Sequence, residues 1–134
     1  MIARYKRPDI KNAQSIIESA NRDMKFTLLS IPIKEEAGTT IIRNIYESFR
    51  MLGDALLTAK GTEGDHAEQI KELLKLQVKT SRPIQLIDHL RQLRHNMNYY
   101  GYKATLIEIE DIISLAKSCF EPLYNEVKKR INSL

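Results

Sequence analysis

The 134-residue sequence has no tryptophan and a single cysteine, Cys119. One thiol cannot close an intrachain disulfide, so the fold has to rest on its hydrophobic core, and a reducing, cytoplasmic setting is expected. At its place near an apolar seam, Cys119 reads as an inert core thiol. No apolar run approaches the roughly 20 residues that a membrane span needs. The stretch from Met1 to Pro8 has charge but no apolar segment, so no secretory signal is expected there. Histidine occurs only as His66, His89 and His95, and no two lie four apart on one helix. A metal site is therefore not expected, and no cofactor is implied. Gly61-x-x-Gly64 lacks the Lys-Ser/Thr of a phosphate loop and reads as a turn. No serine sits in a nucleophile elbow. The adjacent acids Glu35-Glu36 and Glu110-Asp111 point in different directions on a helix and read as solvated faces.

What is present is ordinary for a globular protein: 43% hydrophobic and 28% charged residues. The net charge of +4 permits an anionic partner without demanding one. The length suits one domain, residues 1–134, with one continuous core.

Helical periodicity runs through the chain. A first helix is expected from about Pro8, with Asp9 favourable beside its positive end and Ala13, Ile16, Ile17, Ala20, Met24 and Leu28 as its seam. Pro32 ends it. A second helix lies between Lys34 and Ala59, with Ile41, Ile45, Phe49, Leu52 and Leu56 in line and Gly53 as a site of close helix approach. A short third helix, about Asp65 to Gln77, is capped by Asp65. The fourth runs from about Pro83 to Gly101, with its seam at Leu86, Leu90, Leu93, Met97 and Tyr100. The fifth opens on a capping box, Thr105 to Glu108. Pro122 predicts a kink in it or a new helix beyond. Lys128, Lys129 and Arg130 suit the negative end of a helix better than a nucleic-acid patch. The fold class expected is all-α: an up-and-down bundle of four long helices with one short accessory helix.

The fourth helix is unusual off its seam. Arg91, Arg94, His95, Asn98, Tyr99 and Tyr102 occupy the remaining circumference, where a solvated face would more often carry Lys and Glu. At about 100° per residue, Arg94 falls roughly 80° from the seam and His95 near 180°. Guanidiniums, amides and phenols bind phosphates, bases or sugars. They also tie helices together or form protein interfaces.

The run Arg94-His95-x-x-x-Tyr99-x-Gly101-Tyr102, followed by a capped last helix, resembles the motif of the HEPN domain family (higher eukaryotes and prokaryotes nucleotide-binding). That motif is an Arg, a polar residue and, after a short gap, a His, often with a Tyr beyond. Arg94 and His95 match its first two positions; Tyr99 stands where the His is commonest, as in a divergent prokaryotic branch. A weaker similarity covers Ile45 to Leu74. The resemblance implies a homodimer of helical bundles with the motif helices facing across a cleft. It also implies one of two activities. One is metal-independent RNA cleavage, toxin-like, in which Arg94 with His95 or Tyr99 would be catalytic. The other is nucleotide or RNA binding without cleavage, through Arg91, Arg94, Asn98 and Tyr102, alone or beside a minimal nucleotidyltransferase in a toxin–antitoxin module. Tyrosine, with a pKa near about 10, is a poor general base at neutral pH, which favours binding. A non-catalytic interaction module is the third reading.

Overall fold

The computed structural model describes residues 4–134. It is an all-helical bundle of α1 (Ile10–Ser30), α2 (Gly38–Lys60), α4 (Leu86–Tyr99) and α5 (Leu106–Asn132), with the short α3 (His66–Leu74) beside them. A two-residue antiparallel pairing joins β1 (Arg4–Tyr5) to β2 (Thr62–Glu63). A 3₁₀ turn, Glu35–Ala37, leads into α2. Among the described residues, no helix is long and apolar enough to cross a membrane.

The first helix begins later than its proline suggests. Asp9 is the cap rather than a first-turn residue; its carboxylate accepts the Asn12 amide at 2.9 Å, satisfying one donor that the helix cannot. The Asp9 amide in turn donates to the Thr58 carbonyl at 3.1 Å, which ties the entry of α1 to the end of α2. That end turns at Gly61, whose φ of 80° is left-handed and open to glycine at little cost.

α2 is the central element and packs against each of the other four helices. Ile41, Ile45, Phe49 and Leu52 are at most 1% exposed, as the apolar spacing requires. Asp65 caps α3 by accepting the Glu68 amide at 2.9 Å. α3 is shorter than expected, and α4 starts at Leu86 because the amides of Leu86, Ile87 and Asp88 bond three residues back, so Pro83 to Gln85 forms a tight turn instead. Both halves of the Thr105–Glu108 capping box are present. No new helix starts after Pro122: α5 runs through it, because Phe120, Leu123, Tyr124 and Val127 on either side bury the same face in the same core. Cys119 is buried, with its thiol beside the Arg82 carbonyl.

One contact sets the place of α3. A Cβ added at Gly53 would lie 1.9 Å from the carbonyl oxygen of Gln69, so the two backbones touch where only glycine fits. Gly53→Ala is expected to force α3 off α2. The urea midpoint should fall by the equivalent of about 2–3 kcal/mol, the upper part of the overpacking range, whereas alanine at an unobstructed helix glycine would stabilise.

Candidate functional site

The stripe of α4 that faces the core is Ile87, Leu90, Arg94 and Met97, at steps of three, four and three. The expected seam is therefore rotated. Leu86 and Leu93 are only partly buried, and Tyr100 is 77% exposed, because the helix stops at Tyr99 and Tyr100 lies past its last turn. The rotation turns Arg94 inward. It is half-buried, with its guanidinium carbon 5.2 Å from the centre of the Tyr46 ring. Arg22, Arg50, Arg82, Arg91 and Arg130 all pair with carboxylates. Arg94 has no hydrogen bond or ion pair to any described residue; a tyrosine face is its neighbour instead.

Tyr46 belongs to a polar stripe on α2 that the core pattern conceals. It is 1% exposed, and its hydroxyl is buried without a hydrogen-bond partner. One residue on, Glu47 accepts both Arg50 Nε contacts at 3.0 Å, and Arg50 Nη1 donates to Gln69 Oε1 of α3 at 2.6 Å. Gln69 donates onward to the Gly64 carbonyl at 3.1 Å. His66, at the start of α3, sits with its ring centre 6.2 Å from that of Tyr46. Tyr46, His66 and Arg94, from α2, α3 and α4, thus meet at one ring.

The electrostatics of this face are cationic. Burial raises the Tyr46 hydroxyl above its ordinary range, against the pull of Arg94, Arg50 and Arg91. Burial and then Arg50 and Arg94 depress His66, against Glu47 and Asp65. Burial pushes Glu47 up, but the hydrogen bond and charge of Arg50, with His66 and Arg94 behind them, outweigh it and hold the carboxyl below its ordinary range. The charges of Glu47 and Asp88 are taken up by Arg50 and Arg91, which leaves the charge of Arg94 uncompensated.

The other motif residues lie apart from this cluster. The rings of His95 and Tyr99 meet at a tilt, ring centres 4.5 Å apart, and both are exposed; Tyr100 meets His95 at 6.0 Å. Among the described residues, no hydrogen bond or ion pair joins the Arg94 side chain to that of His95 or Tyr99. Asn98 accepts two hydrogen bonds from Arg43 of α2, at 3.0 and 2.7 Å. Arg91 is held by Asp88 at 2.9 Å. Tyr102 donates to Glu108 at 2.6 Å and so braces the cap of α5. The residues that sequence reasoning missed are Arg43, Tyr46, Glu47, Arg50, His66 and Gln69. The signal available was the recurrence of Arg43, Tyr46, Glu47 and Arg50 at helical spacing beside the seam of α2.

No family model matches the chain, and neither a curated protein nor a solved structure does.

The Glu47 carboxyl ties this site to stability. Its folded-state pKa is lowered, so the ionised group stabilises fully above the ordinary value of 4.5, and that contribution disappears as pH falls through the folded value. Urea midpoints measured from about pH 7 down to about pH 3 should decline for the wild type mainly below the ordinary carboxyl range. Glu47→Gln should start lower at neutral pH and decline less steeply over the same acidic window.

Proposed function

We propose that the protein is a nucleotide- or RNA-binding module of the HEPN type, in which Arg94 takes a phosphate. The observation that supports this reading is the unpaired, half-exposed guanidinium of Arg94 on a face whose other arginines are neutralised or held. A guanidinium presents a planar fork that matches two phosphate oxygens. The magnitudes favour the ligand. A cation over an aromatic ring is worth about 0.5–2 kcal/mol, whereas each hydrogen bond to a charged group contributes about 1.5–3 kcal/mol and a phosphate can accept two from Arg94. The exposed rings of His95, Tyr99 and Tyr100 supply stacking surface for unpaired bases, at about 1–3 kcal/mol per base.

A second reading, an interaction face, is favoured by a different observation. Large apolar side chains stay exposed where α1 and α4 end and α2 and α5 begin: Phe26 at 61%, Leu29 at 84%, Ile33 at 53% and Ile107 at 80%, besides Tyr99 and Tyr100. The Arg43–Asn98 bonds and the close approach of Gly38 to Ile109 bring these helix ends together. Such a concentration suits a second protomer or a partner such as a minimal nucleotidyltransferase. The two readings are compatible, since the apolar end adjoins the arginine face.

Fluorescence anisotropy with a labelled single-stranded RNA checks the phosphate contact. Binding should weaken with salt. Arg94→Ala should lower affinity about tenfold or more and reduce the slope of log affinity against log salt by about 0.7, the value of one lost phosphate contact on a single strand. Arg22→Ala, on the exposed side of α1, should behave as wild type. Equal binding by the Arg94→Ala protein, or no binding at low salt, would overturn the proposal.

A further inference from the structure

We propose that the phosphate site spans two helices, with Arg94 of α4 and His66 of α3 contacting the same phosphate group beside the Tyr46 ring. The inference rests on the phosphate-binding reading above and adds a residue to it. Three observations carry it. Arg94 and His66 come from separate helices, yet lie within 5.2 and 6.2 Å of one ring centre. Both retain solvent access, while the ring beneath them is buried. The Tyr46 hydroxyl is buried without a partner among the described residues, and the carboxylate whose charge acts on it, Glu47, is already taken by Arg50. Buried polar groups are rarely left unpaired. Arg94 has donors only and no acceptor among the described residues, and a phosphate oxygen from outside the chain is such an acceptor.

The mount of His66 is rigid enough for the role. It is the first residue of α3, directly after the Asp65 cap, and one turn before Gln69. Gln69 is fixed by the Gly53 backbone contact and by Arg50. The backbone that carries the imidazole therefore holds its place relative to α2, as the mount of a group that must meet a ligand has to.

A consequence follows from the charges around His66, which are Arg50 and Arg94 on one side of the balance and Glu47 and Asp65 on the other. In the empty site the two guanidiniums and partial burial favour the neutral ring. A phosphate seated on Arg94 cancels that field and brings negative charge to the imidazole, which then takes a proton from solvent and donates a hydrogen bond to the phosphate. Binding and protonation are linked, so affinity rises as pH falls through the window between the empty and the occupied pKa of His66. A phosphodiester carries a constant charge over that window, so its pH dependence reports the protein alone.

The test is histidine NMR on the full chain, with His89 as the internal reference and glutamine variants for assignment. The probe is a short oligouridylate, with and without a 5′-phosphate, titrated from about pH 8 to about pH 5. The pKa of His66 should rise on binding by about one unit, with about a tenfold gain in affinity across the window. His66→Gln should lose the gain, so that its affinity no longer rises as pH falls. A response to both strands assigns the backbone phosphate, and a response only to the 5′-phosphorylated strand assigns a terminal one; either supports the site. Arg94-dependent binding with an unmoved His66 titration overturns this inference and leaves the phosphate-binding reading standing. Absence of any Arg94-dependent binding overturns both.

Discussion

An arginine occupies a position that helical geometry reserves for a core side chain. Ile87, Leu90 and Met97 bury the inner stripe of α4, and Arg94 falls on the same stripe between them. An aliphatic residue there would close the packing. A guanidinium cannot be sunk unpaired in a core, because an isolated buried charge costs several kcal/mol. The chain meets this constraint without a carboxylate: it offers the face of Tyr46 and leaves the group half open to water. A tyrosine ring attracts the cation but does not cancel its charge. The field of Arg94 therefore reaches its neighbours, adding to the burial and the Arg50 charge that hold His66 low and to the Arg50 hydrogen bond and charge that hold Glu47 low. A leucine at this position would make a tighter bundle and a face without polarity of its own.

The architecture around that arginine is rigid where it needs to be. α2 supplies both the core seam and the polar stripe of Tyr46, Glu47 and Arg50, so the site is built on the helix that touches all the others. α3 is only nine residues long and would not hold its shape alone. It is fixed by the glycine contact at Gly53 and by Gln69, which accepts from Arg50 and donates to Gly64. Arg50 thus links the position of α3 to the charge balance of the site. Its pKa is raised: burial opposes its charge, but the hydrogen bond and charge of Glu47 overcome this.

Much of this fold is legible in the sequence, and the illegible part has a physical cause. The seams of α2 and α5 stand out because their apolar residues recur without polar interruption, and the Thr105–Glu108 box is a local chemical signal that needs no tertiary context. The close approach at Gly53 is also visible, since a glycine inside a strong helix calls for a reason. α4 misleads because Leu86, Leu93 and Tyr100 imitate a stripe, while the true one includes a charged residue that hydrophobic periodicity scores as outside. The Tyr46 to Arg50 stripe shows in the sequence only as a helical recurrence beside the seam of α2. It becomes a site only when α3 and α4, much later in the chain, fold over it. At Pro122 no new helix starts, because one lost backbone bond is outweighed by apolar burial on both sides of it.

The division between the two faces of α4 bears on what chemistry the motif can perform. Arg94 turns toward α2 and α3, whereas the rings of His95 and Tyr99 meet at a tilt in solvent. Successive residues on a helix differ by about 100°, and in this structure Arg94 and His95 face different surroundings. RNA cleavage by Arg94 with His95 or Tyr99 would need these side chains to turn toward each other, or two protomers that each give the group the other lacks. Phosphate binding has no such requirement, because Arg94 and His66 already lie beside one ring in a single chain. The geometry thus bears differently on the two proposed readings: the groups proposed to meet a phosphate lie beside one ring in a single chain, and those that cleavage would need do not lie together.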